Sequence, residues 1–383
     1  MDKHIIIVGA GIGGLTAALA LARRGARVTV LERAPDLTEV GAGLQISPNG
    51  GRVLAALGLS EALDAISLPS RGVELWNGES GRRVARLDFP RRRPDQPFRM
   101  IHRARLIEIL GAAATAAGAR VETGVTVTKL TAATPPRLDL ADGTTRGADL
   151  IIGADGLRAV TRDAIGQASA PRFTGQTAWR ALIPDPDGAP PLAQVFMGRG
   201  RHLVSYPLAG GLRNIVAVEE RDDWTAEGWS HRDDPDHLRR AFAGFAAPVP
   251  GWLSQVGECG LWGLFRHPVA AAWYGPGLAL LGDAVHPTLP FLAQGAVMAI
   301  EDAWVLADCL DRDPDQNTAL ARYQARRLPR TRRIVRAANG NARAYHLSGL
   351  TRMIGHAGLR LMNTIPGALE ARFNWLYDFD PTA

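Results

Sequence analysis

Residues 4–33 hold the feature that most narrows what this chain can fold into. An apolar run, His4-Ile5-Ile6-Ile7-Val8, leads into Gly9-Ala10-Gly11-Ile12-Gly13-Gly14. Leu15 to Arg24 then has helical apolar spacing, Gly25 closes it, and Arg27 to Leu31 alternates. The pattern predicts a strand, a tight turn, a helix and a second parallel strand, a unit that needs a sheet covered on both faces. Gly9, Gly11 and Gly14 carry G-x-G-x-x-G spacing. The first glycine permits the turn, the second lets a pyrophosphate approach the backbone, and the third lets helix and strand close on each other. The start of the helix offers N–H groups and partial positive charge to phosphates. Glu32 ends the second strand, 18 residues after Gly14, where a carboxylate accepts hydrogen bonds from ribose hydroxyls. An acid there opposes a 2′-phosphate, so the expected dinucleotide is FAD or NAD rather than NADP.

Strands of the same buried type return at Asp149 to Gly153 and Gly277 to Leu281. Between them the pattern changes. Gly72 to Phe89 alternates around Gly78-Glu79-Ser80-Gly81, as an antiparallel hairpin would, and Leu106 to Ala117 is helical. Short strands are expected over Arg120 to Leu140. Arg172 to about Arg266 is strand-like and broken by prolines, with tryptophans at 179, 224, 229, 252 and 262. A long helix is expected from about Ala296, and helices again from Leu320 to about Met362. The expected class is therefore α/β, α+β overall, with one discontinuous nucleotide domain over residues 1–70, 100–171 and 266–335. A mostly antiparallel substrate domain would take 71–99 and 172–265, and a helical segment 336–383.

At 46% hydrophobic and 21% charged the chain can bury a large core, which excludes a disordered or fibrous protein. Two cysteines, Cys259 and Cys309, cannot build a disulfide framework or a four-cysteine zinc site; no metal is expected, and they fit a reducing compartment. The chain enters a strand at once, and no run reaches the ~20 apolar residues of a membrane span, so a soluble cytoplasmic protein is expected. Net charge is +6, and of 44 basic residues only Lys3 and Lys129 are lysines. That balance suits small anionic ligands, and an arginine-for-lysine bias also follows from GC-rich coding. The arginine run Arg322 to Arg336 lies on a helix that Pro329 is expected to interrupt, and is taken as a solvated face. Neither nucleic acid nor membrane is an expected partner. Monomer and homodimer both stay open.

Gly153-Ala154-Asp155-Gly156 and Gly282-Asp283-Ala284-Val285-His286-Pro287 each follow a buried strand. With the N-terminal motif they resemble the three fingerprints of flavin-dependent aromatic hydroxylases, single-component FAD monooxygenases of the salicylate, 3-hydroxybenzoate and 6-hydroxynicotinate hydroxylase group. The resemblance spans nearly the whole chain and includes residues 41–49, His102-Arg103-Ala104-Arg105-Leu106, Pro290-Phe291-Leu292-Ala293-Gln294-Gly295-Ala296 and the acidic pair Glu301-Asp302. It implies a Rossmann-like FAD-binding domain interrupted by the β-sheet domain, with FAD as cofactor, NADH or NADPH as transient co-substrate, and O₂ added at flavin C4a as a hydroperoxide.

The cofactor residues it implies are Gly9, Gly11, Gly13, Gly14, Glu32, Arg33, Arg103, Asp155, Gly156, Gly282, Asp283, Pro290, Gly295 and Ala296. Among these, Asp283 would bond ribityl or ribose hydroxyls, and Gly295 and Ala296 would turn a helix N-terminus toward the flavin pyrimidine. Arg103 would line the flavin, and Asp155 with Gly156 would lie near the pyrophosphate. Two positions depart from the pattern: Ala159 stands where a serine is usual and Arg105 where Asp is frequent. Both bear on contact with the nicotinamide nucleotide more than on flavin binding.

For chemistry the resemblance points to His202, Tyr206 and Gln294. His202 and Tyr206 are four apart in Gly200-Arg201-His202-Leu203-Val204-Ser205-Tyr206-Pro207, so on a strand they share a face. A histidine there would deprotonate or polarise a substrate hydroxyl, with Gln294 near the same ring. His286 is expected to fix the turn after Asp283. The expected substrate is a small phenolic acid such as salicylate or 3-hydroxybenzoate, or a hydroxylated N-heterocycle. A larger polyketide, quinone precursor or antibiotic, and a flavin-binding redox partner without turnover, remain the rivals. A halogenase is disfavoured, because Trp179-Arg180-Ala181-Leu182-Ile183-Pro184 is not W-x-W-x-I-P.

Overall fold

The computed structural model describes all residues except 38–42, 167–169 and 223–231. Gly41 and Ala42 of the 41–49 segment, and Trp224 and Trp229, therefore lie outside the described residues.

The N-terminal unit folds as its spacing requires. Strand His4–Val8 sits at the centre of a six-stranded sheet, parallel to Arg27–Leu31 on one side and Leu150–Gly153 on the other. Leu278–Leu280 extends the parallel sheet, and only the edge strand Tyr274–Gly275 runs antiparallel. Helix Ile12–Ala22 is buried along nearly its whole length, since it packs against the sheet, helix Arg103–Ala116 and helix Gly295–Arg312. This is why its sequence is Ala/Leu/Gly-rich with no polar stripe: a helix enclosed on all sides has no face to give to water.

The second large sheet has eight strands and is antiparallel throughout except at one seam. The hairpin Gly72–Asn77/Arg82–Asp88 joins it by parallel pairing of Gly72–Asn77 with Leu192–Gly198. From there the order runs through Arg201–Leu208, Leu212–Glu220, Arg172–Pro184 and Cys259–Arg266. One face packs Trp179 and Phe196 against Phe242, Phe245 and Leu253, which sit on and between two short helices, Pro235–Ala241 and Val249–Ser254. Those helices stand in a stretch expected to be strand-like and broken by prolines; Asp234 and Pro235 start the first, through the Asp234 side chain bonded to the Asp236 N–H. The other face turns toward the parallel sheet.

Pro329 does not break its helix. Gln316–Tyr345 is continuous over 30 residues with Pro329 inside. A proline in a helix interior costs about 3 kcal/mol. Buried Leu320, Tyr323 and Arg327 on one side, and Thr331, Ile334 and Ala338 on the other, anchor both halves and outweigh it. The following helix, Gly349–Asn363, exposes Leu350, Met353, Ile354 and Leu361 to solvent, with Ile365 just beyond it. Among the described residues no helix is long and apolar enough to cross a membrane.

Candidate functional site

The glycine turn separates two jobs. Gly9 has φ +103°, and a Cβ there would come within 2.5 Å of the Ala154 carbonyl oxygen. A Cβ on Gly14 would lie 2.0 Å from the Gly9 carbonyl oxygen, and one on Gly13 2.8 Å from Leu281 Cδ1. Gly11 differs: nothing lies within 4 Å of its Cβ position, and it starts helix Ile12–Ala22 without a side-chain cap. With no side-chain cap and open space beside Gly11, that first turn keeps its N–H groups for a pyrophosphate. Glu32 accepts the Ala10 N–H at 2.8 Å and the Ala34 N–H at 2.9 Å, which leaves acceptor capacity for ribose hydroxyls. Arg33 beside it is exposed.

Asp155 abuts this turn, its Cα 3.2 Å from the Gly9 Cβ position. Both of its carboxylate oxygens are engaged by Thr161, at 2.6 Å from the hydroxyl and 3.1 Å from the N–H. Burial raises the Asp155 carboxyl pKa, and these two bonds oppose the rise. Gly156 follows with φ +79° and open space at its Cβ.

The third fingerprint forms a short turn, Gly282–Ala284, directly after strand Leu278–Leu280. Gly282 takes φ +62°, which favours glycine. Asp283 presents its side chain to solvent from the floor of a crowded cleft. That crowding raises its carboxyl pKa, while His286 and Arg103 pull it down. Further along, Pro290–Leu292 makes a single turn, and Ala293 is the one non-glycine with positive φ (+52°) among the described residues. Gln294, Gly295 and Ala296 then open helix Gly295–Arg312.

A sealed ionic cluster holds this turn in place. Glu301, Asp302 and Arg327 are each fully buried. Asp302 accepts from the Gly282 N–H at 3.1 Å and from Arg327 Nε at 2.7 Å, and meets His286 Nε2. Arg327 Nη1 lies 2.6 Å from Glu301 Oε2, an ion-pair contact without hydrogen-bond alignment. Arg330 donates to both Glu301 oxygens at 2.8 Å, and Asn49 Nδ2 to one of them at 2.7 Å. Burial alone would push Asp302 up, but His286 and Arg327 outweigh it and hold its pKa down at about 2. His286 thus ties the turn to the helix behind it.

Gln294 belongs to the same cluster. Its amide donates to Ser47 Oγ at 2.9 Å and accepts from Asn49 Nδ2 at 3.1 Å. The side chain is buried and pins the strained Ala293 turn. Arg322 and Arg326 pair with Asp313 and Asp308, so four arginines of the run answer acids within the fold rather than forming a purely solvated face.

Across from the turn, the eight-stranded sheet supplies the other wall. Register places Arg180 opposite Val216 and Val216 opposite Val204, so Arg180 shares a face with His202 and Tyr206. Tyr206 is buried; its ring would lie 2.8 Å from a Cβ on Gly43, and the neighbouring Asn214 Oδ1 accepts the Gly43 N–H at 2.8 Å. Burial pushes the Tyr206 hydroxyl pKa up, against the charge of Arg180. His202 is 1% exposed and meets the Phe291 ring edge-on, centroids 5.1 Å apart. Its Nδ1 lies 2.6 Å from His346 Nε2, and His346 Nδ1 lies 2.7 Å from Glu220 Oε1. Burial, with His346 beside it, drives the His202 pKa well below 6.5, so the ring is neutral at neutral pH. Sequence reasoning missed His346, Glu220 and Arg180. Their separations of 144 and 126 residues along the chain left no local spacing to find the first two.

The elements therefore define a dinucleotide fold in which the turn Pro290–Leu292 meets a sheet-borne histidine. The model of the FAD-binding domain family matches residues 2–338, and the chain belongs to that family. It stands among the FAD-dependent aromatic hydroxylases, as an FAD-utilising monooxygenase. It is 36% identical over 365 residues to 3-amino-4-hydroxybenzoate 2-monooxygenase PtmB3 of Streptomyces platensis, covering 90% of this chain and 89% of that one. Identity to 3-hydroxybenzoate 6-hydroxylase 1 of Aquipseudomonas alcaligenes is 32%, covering 98% of each. The solved structure of Klebsiella pneumoniae HpxO with FAD and uric acid superposes with a TM-score of 0.84 at 26% identity, covering 98% of this chain and 96% of that one.

Proposed function

We propose that the protein hydroxylates a small phenolic acid or hydroxylated N-heterocycle, with NADH or NADPH as reductant and His202 as the base that deprotonates the substrate hydroxyl. The relatives named above act on hydroxylated benzoates, which supports the aromatic class. Arg180, on the face of His202 and Tyr206, suits a substrate carboxylate. When bound, FAD supplies the reductive activation of O₂. Gly9, Gly11, Gly13 and Gly14 with the first turn of helix Ile12–Ala22 would hold its pyrophosphate, and Glu32 and Arg33 its adenosine end. Asp155 and Gly156 flank that turn. Gly282 and Asp283 would receive the ribityl chain, and Arg103, Pro290 and the amides of Gly295 and Ala296 the ring.

The observation that carries the reading is the state of His202. It is a neutral imidazole in an apolar wall, against Phe291 of the Pro290–Leu292 turn. A neutral imidazole can take a proton from a phenol, and the resulting phenolate is much the better nucleophile toward an activated oxygen. The closed wall excludes water that would divert the oxygen. Gln294, engaged by Ser47 and Asn49, acts by holding the turn, and Tyr206 lines the wall beside the ring.

The test is a panel of salicylate, 3-hydroxybenzoate and 6-hydroxynicotinate, scored for stimulated NADH and NADPH oxidation and for hydroxylated product by mass spectrometry. A product one oxygen heavier supports the reading, as does one that has gained an oxygen and lost CO₂ where the oxygen enters at the carboxylate-bearing carbon; panel-wide oxidation yielding only peroxide counts against it. His202→Ala is expected to lose hydroxylation while retaining FAD. Loss of FAD from that variant would make His202 structural.

A further inference from the structure

We propose that Glu220 and His346 form, with His202, a proton wire that fixes which nitrogen of His202 is the base and carries the substrate proton out to solvent. This rests on the hydroxylase reading for its substrate, though not for its geometry. The hydrogen-bond directions follow from one end. A carboxylate can only accept, so His346 Nδ1, 2.7 Å from Glu220 Oε1, carries a hydrogen. Neutral His346 then has its lone pair on Nε2, 2.6 Å from His202 Nδ1. His202 Nδ1 must therefore be the donor, and its lone pair sits on Nε2. No group among the described residues bonds that nitrogen, nor is it one of the sealed, partnerless atoms of the interior. That nitrogen is thus left to act as the base.

Exposure is graded along the chain of bonds: 1% at His202, 8% at His346, and 54% for the Glu220 side chain. Glu220 lines a cavity of about 320 Å³ with Thr174, Gly175, Gln176, Arg221 and Asp222. The wire thus runs from a closed wall to an open pool. The other groups facing it are Gln176, whose amide is 3.5 Å from His346 Nδ1, Arg201, whose charge disfavours a protonated His346, and Tyr345 against the His202 ring. Burial opposes a charged His202, so a proton parked there is costly, and passing it on removes the cost.

The transfer balances. The substrate O–H proton goes to His202 Nε2, the Nδ1 hydrogen of His202 to His346 Nε2, and the Nδ1 hydrogen of His346 to Glu220 and then to water. One proton reaches solvent, the substrate is left as its anion, and both rings end neutral with exchanged tautomers. Reprotonation by the reverse route restores them. Glu220 and His346 are positioning residues; of the three members of the wire, His202 is the one that touches substrate.

Two measurements test this on the FAD-loaded enzyme. In ligand-free protein with ¹⁵N-labelled histidine, His202 should carry its hydrogen on Nδ1, and His346→Phe should release that preference. With 3-hydroxybenzoate as probe, stopped-flow absorbance should show phenolate forming with release of a proton to a pH dye. Glu220→Gln keeps a hydrogen-bonding group but takes no proton, and should slow both signals about tenfold or more with probe affinity unchanged. Glu220→Asp should restore them, and added buffer should speed Glu220→Gln but not wild type. Phenolate formation at wild-type rate in Glu220→Gln overturns the outward transfer, and a hydrogen on His202 Nε2 overturns the wire itself. Should 3-hydroxybenzoate not bind, salicylate or 6-hydroxynicotinate takes its place as probe; if none of the three binds, the hydroxylase reading falls and takes the outward transfer with it, while the substrate-free tautomer still decides the geometry.

Discussion

Two buried polar clusters draw on the same long helix, and they are built on opposite plans. The cluster behind the flavin turn, Glu301–Asp302–Arg327–Arg330 with His286 and Asn49, sets acids against bases with its inner members fully enclosed. The His202–His346–Glu220 cluster is a single file of neutral rings ending in a half-exposed carboxylate. Saturation in the first makes every charge costly to disturb, so it holds shape. Openness at one end of the second leaves a proton somewhere to go.

That contrast can be broken first where the effect is largest. Arg327→Met leaves Glu301 and Asp302 without their central cation, and should cost about 3–5 kcal/mol of stability in urea unfolding. A loss under about 0.5 kcal/mol, the range of neutral surface changes, would mean the cluster does not hold the turn. Conversely, His202→Ala should lower the rate of product formation roughly 10²–10⁴-fold, the range of general acid–base catalysis, with the flavin spectrum retained. Equal damage to flavin binding would erase the distinction between the two plans.

Acid should separate them next. The Asp302 carboxyl is held at about 2 against an ordinary 3.8, so its contribution to stability is whole above pH 3.8 and is lost as pH falls toward 2. His202 is depressed below 6.5 by burial, so protons favour the unfolded chain, where it charges freely, once pH drops below 6.5. Other buried histidines, among them His346, and other paired carboxylates, among them Glu301, shift the same way, so unfolding followed against pH should show a loss starting near 6.5 that His202→Gln reduces, and a later one that Asp302→Asn reduces. The smallest effect is expected far from both clusters. Met353→Gln and Ile354→Gln replace exposed side chains, and the melting curve should move by less than about 0.5 kcal/mol.

How far each feature was legible follows from how local its cause is. The turn at Gly9–Gly14 and Glu32 at the strand end were read from spacing, and Asp283 after Leu278–Leu280 from the resemblance; all sit within a few residues of the strands that position them. The mostly antiparallel sheet was visible as alternation, but the parallel seam between Gly72–Asn77 and Leu192–Gly198 joins segments over a hundred residues apart. Pro329 misled because local propensity was read without the burial that overrides it. The acidic pair Glu301–Asp302 was noticed, yet its partner Arg327 was lost in an arginine run. His346 had no motif at all; only the fold brings it to His202.

One element serves both clusters. Helix Gln316–Tyr345 carries Arg327 and Arg330 near its middle and delivers His346 at its C-cap. At 1.5 Å per residue, the 19 residues from Arg327 to His346 make an arm of about 28 Å. A tilt of only about 2° about the arginine clamp would swing the far end by about 1 Å, as much as a hydrogen bond can absorb before it fails. Positional tolerance at the two walls of the cleft is therefore a single mechanical quantity, set by the stiffness of one rod and the grip on its fulcrum.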